Sequence, residues 1–547
     1  MTENKRALPA HPPGEPQRDQ LPVVARPPSV GPPPPVAIDS WAGQIQVEWD
    51  PGAPLTPLGQ ASFFIEFLKV CGVFDALVAD CPLARTSPNA PSNRDCVGTI
   101  VLSALAGHKR YAHVTTLRAD GVLPERLGID RILSEDAVRR ALAAIDETKG
   151  IAWLQRHLDH CTAPLLGEGW VLDADTTIKP LYGHQEGAVL GYNRKKPGRP
   201  SHAYHSFILA NLRLVLDVDV MPGNEHTANH SAPGLWALLE RIGRDRWPKM
   251  LRADKGFCSD ALMARCEAEG LPHLLGLRLT KNVKRAIARL AGRRDWTDAQ
   301  QGWQGIETTL KLSGWTRARR VALLRRRIKG DDKPARSADP DQPLLAFPTP
   351  LEPGETWEHA ALVTSLDAEI LSLGQLYRDR ADCENAFDEL KNHWGWGGFT
   401  TQDLARCRLA ARIVALVYNW WNLFTRLAEP DKHLEAITSR PLLLTAIAER
   451  IRHARQTTLR IASAHGRAAW ASNALAGTAA FLGQLVNAAE QLTPMQRWYR
   501  IPSHALRHVL SGRDATTDAP TGTDGLIQLR VENASQSTLV KRPNCRI

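Results

Sequence analysis

No two of the nine cysteines stand in a C-x-x-C pair and their total is odd, so the chain carries neither a zinc-ribbon pattern nor a disulfide framework. Reduced thiols are the simplest account of them. No apolar run is long enough to cross a bilayer either: the most apolar stretch, Ile413 to Phe424, is closed off by Arg412 and Arg426. The first residues, MTENKRALPA, lack the apolar segment of a secretion signal. These absences predict a cytoplasmic protein with no membrane partner. What is present is bulk and positive charge. At 547 residues and 43% hydrophobic content, the chain is long for one core and apolar enough to fill several. Its formal net charge of +10 favours an acidic polymer as partner, and nucleic acid is the commonest of these.

Composition divides the chain. Residues 1–37, with PHPPGEPQ and RPPSVGPPPP, read as a disordered, partly polyproline leader. Residues 38–165 show helical spacing from about Ile45 onward. Within them Ser134 can cap a helix whose Val138, Leu142 and Ile145 face inward and whose Arg139 and Arg140 face out. A short helix with a basic outer face suits the reading helix of a helix-turn-helix, with Arg139 and Arg140 on DNA; an ordinary helix of an all-α domain explains the same pattern.

Residues 166–279 change to α/β. GWVLDADTTI, YHSFILANLRL and LVLDVDVM read as strands, followed by helix, strand, helix and strand, which predicts a mixed sheet with helices packed on it. Residues 280–364 interrupt that sheet with a basic, β-rich insertion in which Trp296, Trp303 and Trp315 alternate with arginines and lysines. A basic groove with aromatic platforms holds nucleic acid, although a Trp before a turn, as Trp315 is, also serves as a hairpin core residue. Residues 365–430 contain a polar helix, a glycine stop at WGWGGF and an apolar helix; 431–512 read as further helices and 513–547 as a disordered tail.

Three carboxylates stand out by position: Asp175 and Asp254 at strand ends, and Glu384 on the polar helix. At 100° per residue, Tyr377, Arg380, Glu384 and Lys391 fall at about 0°, −60°, −20° and −40° of one helix. A stripe that should be apolar thus carries an acid, two bases and a phenol. Carboxylates from separate segments can converge on a divalent ion, and oxygen ligation selects Mg2+ or Mn2+ over zinc. Each has a plainer reading. Asp173 and Asp175 share a strand face, so periodicity does not choose between them. Asp217 and Asp219 pose the same ambiguity and fit a surface strand end. Asp254 before Lys-Gly can simply open a turn, and a charged helix face can be solvated.

Tyr377-x-x-Arg380-x-x-x-Glu384, with Lys391 seven residues on, resembles the Y-R-E-K signature of DDE transposases from bacterial insertion sequences at all four positions. DADTT resembles that family's first catalytic segment and selects Asp175; RADKGF resembles its second and selects Asp254. YGHQEGAVLGYNRKKPGRPSH resembles a run typical of one branch. The resemblance implies an α/β ribonuclease-H-like catalytic domain with a β-rich insertion, flanked by an N-terminal all-α domain and C-terminal helices. It implies that Asp175, Asp254 and Glu384 are catalytic and hold two Mg2+ or Mn2+ ions. Tyr377, Arg380 and Lys391 would contact DNA, with Arg139, Arg140 and Trp315 as further candidates. The activity implied is cut-and-paste transfer at terminal inverted repeats by a dimer at the bacterial nucleoid. A metal-dependent nuclease without strand transfer and a domesticated, inactive DNA-binding protein are the rival readings.

Overall fold

Along Val171–Pro180 the residue types alternate, which puts Leu172 and Ala174 on a fully buried face and Asp173 and Asp175 on the other. The structure is a computed structural model and describes residues 32–328, 346–347 and 356–509 except 85–86, 88, 168, 192, 194–195, 226–229 and 489–490. The leader up to residue 31 and the tail from 510 lie outside the described residues. The chain forms two compact units, divided after Ala53. In the first, Val36–Ser40 and Gly43–Val47 make an antiparallel hairpin. The second begins at Pro54.

The Asp175 strand pairs antiparallel with Pro200–Leu209 on one side and parallel with Met250–Ala253 on the other. Pro200–Leu209 pairs onward with Leu214–Pro222, and Met250–Ala253 runs parallel to His273–Gly276. The parallel steps use helical crossovers, Ala232–Ile242 and Asp260–Ala268, as parallel strands require. The sheet continues past His273–Gly276 through Thr356–Thr364, Arg319–Ile328 and Trp303–Leu310, all antiparallel. The basic stretch therefore adds its strands to the same sheet, which has eleven strands among the described residues.

The apolar helix Leu404–Ala428 is buried along nearly its whole length. It packs on the Leu214–Pro222 strand, whose outer backbone groups would otherwise lack partners. Asn419 accepts from the Val215 amide and donates to the Val215 carbonyl, both at 2.8 Å, and Arg408 donates to the Val220 carbonyl at 2.8 Å. Arg412, which closes the apolar run in sequence, is buried and paired with Asp217 at 3.0 Å. No helix of the described residues is long and apolar enough to cross a membrane.

Four expectations need correction. Helical spacing from Ile45 is wrong at its start: Gly43–Val47 and Leu55–Thr56 are strands, and the first helix is Ala61–Cys71. The segment 431–512 is not all helical. Ala448–His453 and Gln456–Ile461 form a hairpin about Ala454 (φ 49°), and Leu55–Thr56 pairs onto it. That partner lies almost four hundred residues away, beyond the reach of local pattern. Asp217 is not at a surface strand end; it is 4% exposed and also accepts from Gln155 and Arg241. Finally, the polar helix is two helices, Ile370–Arg378 and Ala381–His393, with Arg380 at the junction. The break nevertheless leaves Arg380 in contact with both Tyr377 and Glu384.

Register separates the two aspartates that periodicity left equivalent. Asp173 lies opposite Arg252 on the neighbouring parallel strand, and the pair is bidentate at 2.6 and 2.7 Å with both side chains buried. Arg252 also donates to the Leu376 carbonyl, tying the strand pair to the end of the Ile370–Arg378 helix. Removing one member of a buried pair leaves the other charge uncompensated. Arg252→Met is therefore expected to lower the unfolding free energy by about 3–5 kcal/mol. Urea denaturation reads this, and an unchanged midpoint would show that Asp173 does not need its partner.

Candidate active site

Beyond Asp173 and Arg252 the register pairs Ala174 with Ala253, the last parallel pair, so Asp254 stands just past the end of its strand, whereas Asp175, expected at a strand end, lies mid-strand and pairs on with Ser206. Asp254 does open a turn: its Oδ1 accepts from the Gly256 amide at 2.8 Å. Asp175 Oδ1 accepts from the Thr176 amide at 2.7 Å, leaving Oδ2 for other partners.

Glu384 is carried on a helix pinned to its surroundings through two acidic residues. Asp382 in the first turn accepts from Arg213 at 2.7 Å. Glu389, 2% exposed, accepts from the Trp394 indole at 3.1 Å and from the Ala436 amide at 2.8 Å. Burial pushes the Glu389 carboxyl up, and its bond to His433 and the other donors more than reverse that, leaving it below the ordinary value.

Arg380 joins the parts. Its Nη1 lies 3.4 Å from Asp175 Oδ2 and 3.3 Å from Glu384 Oε1, and the side chain is 4% exposed. Burial opposes the charge, but Asp175, Tyr377, Asp254 and Glu384 hold the guanidinium pKa well above its usual value. Burial also lifts Asp175, to about 8; Arg380 pulls it down while Asp254 and Glu384 push it further up. Tyr377, moved up to about 12 chiefly by burial, keeps its proton at neutral pH and bonds to Arg380. Its hydroxyl occupies space that Gly276 leaves open at the end of its strand, where a Cβ would stand 2.4 Å from Tyr377 Oη. Any larger residue there would move the tyrosine.

The donor set suits a hard divalent cation, being all carboxylate with compensating positive charge already drawn in. The positions, as they stand, hold a guanidinium instead. Among the described residues no three His, Cys, Asp or Glu side chains lie close enough to hold one ion. Arg380 is the positive group between Asp175 and Glu384.

The other sequence candidates are dispersed. Lys391 lines a cavity with Lys179 and Trp396. Arg139 is half-buried, paired with Glu135 at 2.5 Å and set over the Tyr111 ring, whereas Arg140 is exposed. Trp315 is half-buried against the core with Arg319 5.4 Å from its ring centre. Trp296 is buried and bonded to the Leu290 carbonyl at 3.0 Å. Much of the basic segment is paired internally: Arg319 with Asp260 and Glu267, Arg317 with Glu267, Arg320 with Glu307, Arg326 with Glu358. Sequence reasoning missed Lys179. The strand period was the available signal, since Asp175, Thr177 and Lys179 share one face.

Residues 63–480 match the family described as the transposase DDE domain, group 1, and the chain belongs to that family of transposases. No curated protein matches the chain. Among solved structures it is similar to one described as the cryo-EM structure of the piggyBac transposase synaptic complex with hairpin DNA. That similarity is at 12% identity and a TM-score of 0.33, covering 85% of this chain and 91% of the other, and it carries no residue correspondence.

Arg380 now has a role that can be measured without DNA. Arg380→Gln leaves the carboxylates facing one another, so its melting temperature in EDTA is expected to fall, equivalent to about 2–4 kcal/mol. Added Mg2+ should then raise it by more than it raises the wild type. Equal melting temperatures in EDTA would show that the guanidinium does not hold the carboxylates.

Proposed function

We propose that this transposase binds the terminal inverted repeats of a bacterial insertion sequence of the Y-R-E-K branch. It cuts the DNA strands there and joins the freed ends to a target, working as a dimer that pairs two ends. One observation carries the reading: Asp175 and Asp254 follow the last paired residues of two adjacent parallel strands, and Glu384 from a distant helix is tied to the first through Arg380. Three antiparallel strands followed by two parallel ones, with helices in the crossovers, support a ribonuclease-H-like catalytic domain. The family match supports the class of reaction.

In this reading Asp175, Asp254 and Glu384 would hold two divalent ions, Mg2+ or Mn2+. Bound there, the ions supply activation of the attacking oxygen and stabilisation of the leaving one. The chain's own residues do the rest. The aspartates sit on a rigid sheet and Glu384 on a helix anchored through Asp382 and Glu389, which keeps the three in register with the scissile phosphate. Arg380, released from the carboxylates, is a bidentate donor to phosphate. Tyr377, still protonated, donates a hydrogen bond to the same strand. Lys391 holds the backbone further along.

Glu384→Gln is expected to reduce Mg2+-dependent cleavage of element-end DNA by about a thousandfold or more. DNA affinity should be unchanged. Gel assays of cleavage and strand transfer beside a binding titration read both, and unimpaired cleavage would sink the assignment.

A further inference from the structure

Lys179 is an anomaly: a buried ammonium, 5% exposed, with which no described carboxylate pairs. Its Nζ reaches the Tyr204 hydroxyl at 3.3 Å and the Gly398 carbonyl, and it sits 5.7 Å from the Tyr204 ring centre. Buried charges are ordinarily paired or coordinated, because desolvating an isolated one costs several kcal/mol. Burial has lowered the Lys179 pKa to about 8, the sign of a cation short of negative charge. The ammonium does not face a closed core. It lines a cavity of about 270 Å3 together with Lys196, Lys391, Tyr182, Tyr204 and Trp396.

Three lysines converge there without a carboxylate in the lining. Tyr182, 64% exposed, stands at the cavity, bonded through its hydroxyl to Lys196 and with Arg199 5.1 Å from its ring centre. The pocket also has a fixed relation to the candidate active site. Lys179 follows Asp175 by four residues on the same strand face, about 13 Å along. Lys391 follows Glu384 by seven residues, two helical turns or about 10.5 Å. Strand and helix each carry a carboxylate and then a lysine, and both lysines end in one cavity.

We infer that this cavity is a subsite for a DNA phosphodiester, clamped by Lys179, Lys196 and Lys391 with Tyr182 against its nucleoside. It would lie three or four nucleotides of B-form rise, at about 3.4 Å each, from the bond being cut. The inference deepens the proposed function and rests on that reading. A phosphate opposite Lys179 supplies the negative charge that the fold omits. Tyr182 offers an aromatic face of the kind on which an unstacked base rests.

The experiment uses the full-length chain and a DNA duplex with a single-stranded extension. Binding is titrated at several salt concentrations for the wild type, Lys179→Met, Lys196→Gln and Tyr182→Ala. Lys179→Met is expected to bind about tenfold more weakly, the loss of one charged hydrogen-bond partner. Its slope of log affinity against log salt should be shallower by about one. Its melting temperature should be unchanged or higher, because an unpaired buried charge has been removed. Lys196→Gln should also flatten the slope, and Tyr182→Ala should weaken binding only to DNA carrying the extension. Wild-type affinity and slope in Lys179→Met, or a melting temperature lowered in it while Lys196→Gln binds normally, would overturn the subsite. If Lys179→Met does not fold, the two exposed variants decide the question by the same readouts. Glu384→Gln provides the separation: normal cleavage in it defeats the proposed chemistry, whereas normal binding by the pocket variants defeats the subsite alone.

Discussion

Carboxylates gathered in a poorly solvated cleft repel one another, and the site around Asp175 depends on one guanidinium to hold them. Arg380 can do this because it sits at the junction of two helices, four residues before Glu384 and within reach of the Asp175 strand. Its neighbours enforce the position. Tyr377 fills the gap above Gly276, and Arg252 ties the preceding helix end to the sheet. The repulsion at the site is thus partly compensated from within the fold.

Much of this was legible in the sequence because it is local. The order of strands and helices from 171 to 276 follows alternation and amphipathic spacing, and the observed elements follow that order. The choice of Asp175 over Asp173 was not open to periodicity, since both point the same way; it took the cross-strand partner Arg252 to give Asp173 its own occupation. The helix junction at Arg380 was illegible for another reason. Neither Pro nor Gly marks it, and both residues at the turn keep helical dihedrals. Lys179 lay in plain view, but the absence of its counter-charge is a property of three dimensions.

Charge counting on the basic segment also changes meaning once partners are known. Arg319 looked like part of a surface stripe, yet it is buried between Asp260 and Glu267 on the Asp260–Ala268 helix. Arg320 and Arg326 bind glutamates on the strands beside their own. Such arginines stitch the added strands to the rest of the sheet. Positive charge with fewer internal claims gathers instead around Lys179 and Lys196.

The bonds from Asn419 to Val215 span 204 residues of chain. Ribosomes add about 5 to 20 residues per second, so the Leu214–Pro222 strand leaves the ribosome roughly ten to forty seconds before the helix that covers it. Through that interval any sheet already assembled presents an open edge, the feature by which strands of separate chains join. The order of synthesis therefore makes the helix a late closing element.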